Sequence, residues 1–179
     1  MSRRIAAALS LLVLAAGCAS LPAADPVEEY RVAEGFASHR PADVAVLAVE
    51  GDLPKETAAL LREALRRHLL DLRYAPVRVK EVDGRPSEFR PGGANAVLAV
   101  TISRWDDAAL HGAGTVLLAA EVRLCGPGSA DPLYSARLKD VRVDARRTSR
   151  TMEDRARAVE AAADEAAGIL LAGLPPKGD

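Results

Sequence analysis

Several runs along the chain are patterned tightly enough to predict elements. Asp43 to Glu50 (Asp-Val-Ala-Val-Leu-Ala-Val-Glu) is apolar at nearly every position and β-branched at alternate ones. Such a run predicts a strand covered on both faces, as inside an α/β sheet. Gly51 and Asp52 predict a turn, with Asp52 capping the next helix and Pro54 in its first turn, where amides lack helical partners. That helix is expected to reach Leu72, because Ala58, Leu61, Leu65, Leu69 and Leu72 form one stripe while Arg62, Arg66 and Arg73 fall elsewhere. Pro76 to Val82 alternates Val77 and Val79 with Arg78 and Lys80, which predicts a strand with one wet face. Strand, helix, strand in this order predicts a right-handed parallel crossover.

Residues 83–94 hold Gly84, Pro86, Pro91, Gly92 and Gly93 and read as loop. Ala96 to Ile102 predicts a second fully apolar strand. Thr115 to Cys125 and Leu133 to Val143 predict two more, joined by a short turn and therefore paired antiparallel. In the last segment Thr151 is expected to cap a helix, with Asp154 three places on. Met152, Ala156, Val159, Ala163, Ala166, Leu170 and Gly173 then recur in steps of four and three, and Pro175 and Pro176 stop the helix. A stripe this small lets a helix lie close against a flat partner. The fold class is α/β: a mixed β-sheet with a β-α-β crossover, β-hairpins and a C-terminal helix packed on the sheet.

The N-terminal segment has a different pattern. Arg3 and Arg4 precede a twelve-residue apolar stretch, Ile5 to Ala16. That suits a secretory signal and is short of the roughly 20 residues that span a bilayer. It ends in Leu-Ala-Ala-Gly-Cys, Leu14 to Cys18, which resembles the bacterial lipobox. The resemblance implies a lipoprotein signal peptide over 1–17, a diacylated and palmitoylated Cys18, and a membrane partner reached through that lipid. Ala19, where retained inner-membrane lipoproteins carry Asp, implies sorting to the periplasmic face of the outer membrane. Residues 18–41 are expected to be a lipidated tether of up to about 75 Å. A short helical turn over Glu28 to Phe36 would gather Tyr30, Ala33 and Phe36 as an aromatic lead-in. Residues 42–176 are expected to form a single α/β domain.

Composition narrows the function classes. Lys and Arg number 24 against 25 Asp and Glu, so no basic excess favours nucleic acid. Aromatic residues make up 3% and cysteines number two, too few for stacking platforms or a cysteine-rich metal site. His39 and His68 read as solvated or packed side chains. Trp105, Asp106, Asp107 and His111 are the best candidates for catalysis or a metal, expected together in a loop after the third strand. No further ligand accompanies them, so the expectation is a turn, with no catalytic, cofactor or metal residues assigned. Arg142, Arg146, Arg147 and Arg150 form the candidate partner contact, able to hold a phosphate, a carboxylate or an acidic surface. Cys125 reads as a small apolar residue.

These features together resemble the bacterial outer-membrane lipoproteins of unknown function that are similar in fold to the amino-terminal domain of TolB and to the curli-export lipoprotein. The residues that carry the resemblance are Tyr30, Phe36, Arg40 and Pro41, the strand Val44 to Val49, the run Gly93 to Trp105, and Leu133 to Ala136, within a span of roughly 28–174. Relatives carry a helix between the second and third strands, and Pro86, Pro91, Gly92 and Gly93 leave room for at most one turn here. The resemblance implies a non-enzymatic accessory or scaffold in an outer-membrane export or assembly complex, with an envelope protein as partner. A tethered periplasmic regulator of a cell-wall synthase is the alternative, and a metal-dependent hydrolase the third reading.

Overall fold

The computed structural model describes residues 27–147 and 154–178. Cys18 and the signal segment lie outside them, as do Arg150, Thr151 and Met152. In chain order the elements are β1 (Val27–Val32), α1 (Phe36–His39), β2 (Asp43–Val46), β3 (Glu50–Gly51), α2 (Lys55–Asp71), β4 (Ala75–Pro76), α3 (Val79–Gly84), β5 (Val97–Asp106), α4 (Leu110–Ala113), β6 (Thr115–Cys125), β7 (Pro132–Asp144) and α5 (Arg155–Leu171). A 3-10 turn, Ala145–Arg147, lies between β7 and α5.

One sheet runs in the order β1-β7-β6-β5-β2-β4, with β3 also on β5. β2 pairs parallel with both β4 and β5, and β1, β7, β6 and β5 pair antiparallel. The mixed α/β sheet, the β-α-β unit and the hairpins are thus as expected. Along β6, Val116, Leu118, Val122 and Leu124 are fully buried with Leu61, Leu65, Leu69, Ala163, Ala166 and Leu170 of α2 and α5 in one core. Both long helices cover this face, side by side, with Arg67 of α2 bonded to Asp164 of α5 at 2.9 Å. Among the described residues the other face is covered only near β2, by a second cluster of Ala45, Val82, Phe89, Val97 and Cys125.

The structure corrects several local expectations. The helical turn expected over Glu28 to Phe36 begins only at Phe36, as α1: the residues before it form β1, which joins the sheet edge on β7, where Tyr30 lies opposite Ala136 and sends its hydroxyl to the Ile169 carbonyl. The apolar run 43–50 divides into β2 and β3, since the Val46 carbonyl accepts from Arg62 Nε at 2.9 Å. Asp52 caps nothing. Its amide donates to the Ile102 carbonyl, and α2 starts behind Pro54 with no side-chain cap. Gly51 approaches β5 so closely (φ +119°) that a Cβ there would lie 1.9 Å from the Ile102 oxygen.

The strand expected over 76–82 is only the two residues of β4, followed by α3. Val82 turns inward to meet Phe89 and Cys125, and helical geometry gives it that direction. A short helix between these strands is therefore present, upstream of the proline and glycine loop that argued against it. In α5 the N-cap is Asp154, whose carboxylate accepts from the amides of Ala156 and Arg157. Ala156 is exposed, and the buried face is Ala158, Ala162, Ala163, Ala166 and Leu170.

Candidate contact surface

The candidate site lies at the end of the sheet where β5 finishes and β6 begins. β5 extends to Asp106, so Trp105 and Asp106 belong to a strand and not to the expected loop. A bulge after Ile102 places Arg104 and Asp106 on the open face, where Arg104 bonds Asp106 and Asp140, each at 3.0 Å. The Arg104 guanidinium and the Ala108 amide hold the Asp106 carboxyl below its usual range. Asp107 stands 3.5 Å from Arg155 at the start of α5. His111 is exposed on α4. Among the described residues no three His, Cys, Asp or Glu side chains come together to hold a metal ion.

Arg142 projects from β7 onto the open face, across from Leu117 of β6. Arg146 lies in the 3-10 turn and sends its Nη2 to the Gly112 carbonyl at 2.7 Å, tying that turn to α4. The structure thus brings Arg142 and Arg146 to one end of the domain. The side chain of Arg147, and all of Arg150, fall outside the described residues. Further along the open face the cross-strand rows are charged. Thr101, Glu121, Arg137 and Glu29 form one row, and Ala99, Arg123, Ser135 and Arg31 the next. Opposite charges in adjacent positions stabilise a solvated sheet face. Arg31, and more weakly Arg137, hold the Glu29 carboxyl below its usual range.

Sequence reasoning missed a second feature. A cleft of about 500 Å³ opens between α2 and α3, lined by Ala48, Val49, Ala58, Val79, Lys55 and the Arg62–Asp83 pair. It lies beyond the C-terminal end of β2, where open α/β sheets commonly hold ligands. Its central cation is already committed: Arg62 forms a fork with Asp83 at 2.8 and 3.0 Å. The stripe pattern assigned Arg62 to the solvent side, and no local signal marks it as buried. His68 packs in the α2–α5 seam with Nε2 3.4 Å from Asp164, and His39 contacts the Gly35 carbonyl. Cys125 is buried, and that burial pushes its thiol up.

No family model matches this chain, and no curated protein matches it. Among solved structures the chain is similar to a single-substitution variant of PelC from Paraburkholderia phytofirmans, a dodecamer in space group C2. The TM-score is 0.52 at 11% identity, covering 83% of this chain and 98% of that one. A second PelC dodecamer, in space group P6, gives 0.45 at 12% identity over 81% and 97%. Lipoprotein GNA1162 from Neisseria meningitidis gives 0.42 at 15% identity over 56% and 81%. At 11% identity, what this chain and the first of these share is the fold.

Proposed function

We propose that this chain is a lipid-anchored envelope lipoprotein that acts by contact, without catalysis, as an accessory or scaffold in an outer-membrane export or assembly complex. The Leu14 to Cys18 string supports the anchor, and the fold shared with the PelC dodecamer supports a role inside an assembly.

The observation that favours this reading over a periplasm-crossing regulator is where the sheet begins. β1 starts at Val27, so residues 18–26 alone separate the acylated Cys18 from the folded domain. Nine residues reach at most about 30 Å even when fully extended. That length keeps the domain against the membrane, whereas a tether running to residue 41 would free it to travel.

The test is fractionation with crosslinking. Wild-type chain should sediment with outer membrane and crosslink into higher multiples together with envelope proteins, and Cys18→Ala should leave soluble or uncleaved precursor. Mass spectrometry that finds an unmodified N-terminus downstream of Cys18 would overturn the anchored reading. A monomer that crosslinks to nothing in intact envelopes would overturn the scaffold.

A further inference from the structure

We infer that the open sheet face beside β1, presenting Lys139 and Arg142, docks on anionic phospholipid headgroups of the membrane in which Cys18 is anchored. This rests on the lipidation proposed above, and three observations lead to it. The first is where the tether enters. Val27, the first residue of β1, pairs directly with Lys139. The chain from Cys18 therefore enters the domain beside that lysine, with Arg142 three residues further along β7. With a tether of nine residues, 18–26, this edge of the sheet is held within about 30 Å of the anchor.

The second observation is the charge left after pairing. The aspartates around these two cations are engaged elsewhere. Asp106 and Asp140 bind Arg104, Asp107 faces Arg155, Asp154 caps α5 and faces Arg157, and Asp144 accepts from the Arg146 amide. Among the described residues Lys139 and Arg142 have no carboxylate partner, and both are exposed.

The third observation is what surrounds the cations. Arg142 stands across from Leu117, and Ala119 of β6 lies opposite the bulge that holds Lys139 and Asp140. Leu117 and Ala119 are half-buried, with Asp106 and Arg104 on their other side, so the two cations stand beside a small apolar floor. Long basic side chains on such a floor suit an interface, where the stems pack and the heads meet phosphate. A basic patch is a recognised membrane signal that acts together with a lipid anchor.

The experiment uses the full chain in two forms. Acylated protein, purified from membranes, is reconstituted into phosphatidylcholine vesicles with or without 30% phosphatidylglycerol (a value on the order of natural anionic content). A water-soluble acetylating reagent then reports lysine exposure. Labelling of Lys139 should fall several-fold only in the anionic vesicles and return at high salt, while Lys177, at the far end of the domain, stays unchanged. In parallel, the unlipidated Cys18→Ala chain should partition onto anionic vesicles. Lys139→Gln and Arg142→Gln should each reduce that partitioning roughly five-fold, with unchanged melting curves. Equal labelling of Lys139 in both vesicle types would overturn the inference, as would partitioning indifferent to both substitutions. Protection seen only in native envelopes, which would indicate a protein partner, would overturn it too. The two readings fail separately. Loss of the anchor appears as an unmodified N-terminus in mass spectrometry, and loss of the docking face as lipidated protein with Lys139 fully exposed.

Discussion

Arg62 shows how one buried charge ties three segments together. Its side chain is 10% exposed, and it links α2 to α3 through Asp83 and to β2 through the Val46 carbonyl. Arg62→Ala should cost about 2–3 kcal/mol in denaturant unfolding, below the figure for a fully buried pair because Asp83 is 54% exposed. Arg62→Lys should recover little, since an ammonium cannot present the planar fork. Arg62 also holds the Asp83 carboxyl below its ordinary 3.8. A depressed folded value means stability that is present above the ordinary pKa and lost as pH falls below it. Asp83→Asn should therefore flatten the stability profile below about pH 4.

The tyrosines give the opposite sign. All three donate to carbonyls at or just beyond the C-terminal end of α5: Tyr30 to Ile169, Tyr134 to Leu170 and Tyr74 to Pro175. Burial raises all three phenols from 10.0, that of Tyr30 to about 12. Their contribution is complete below pH 10 and should fall as pH rises through 12, because the unfolded chain ionises first. Replacing all three with Phe should lower stability at neutral pH and remove much of that alkaline slope. Tyr134→Phe alone should cost about 1–2 kcal/mol.

At the scale of elements, α5 decides whether the domain closes. Its buried face is alanine from Ala158 to Ala167, which lets the helix axis sit close to both the sheet and α2. Ala163 is fully buried. Ala163→Glu should destabilise by about 3 kcal/mol or more, because a carboxylate there has no partner. For a domain of this size that is a fall on the order of 10 °C in Tm. Gly173 permits a similar approach just beyond α5, where a Cβ would come 2.7 Å from the Tyr30 Cβ. The edge strand β1 therefore packs against the end of α5 as well as pairing with β7, which explains why a segment that reads as linker is part of the fold.

At the scale of the molecule, the sheet places its chemistry at two ends. The tyrosine and α5 C-terminal contacts close one end, and the arginine-rich turns, α4 and the helix starts form the other. The contact reading makes a direct prediction there. The triple variant Asp106→Asn, Asp107→Asn, His111→Ala should leave metal content unchanged, measured by elemental analysis of purified protein. It should lose little stability, since the Arg104 and Arg155 pairs are exposed and screened by solvent. Stoichiometric metal present in the wild type and absent from the variant would return the hydrolase reading.

The sequence by itself determined the strands β6 and β7, the parallel unit around α2, the small-residue helix α5 and the lipobox-like string. Each is written as a local apolar period or a short motif, and a local pattern needs no partner to be read. Tertiary structure alone decided which polar groups are buried, paired or free. Arg62 reads as a solvent-side charge until α3 brings Asp83 to it. Asp106 reads as a candidate ligand until the β5 bulge sets it beside Arg104. Val27–Val32 reads as tether until Tyr30 meets α5. In each case the deciding partner is distant in sequence or placed by a backbone irregularity, so no window along the chain contains the answer.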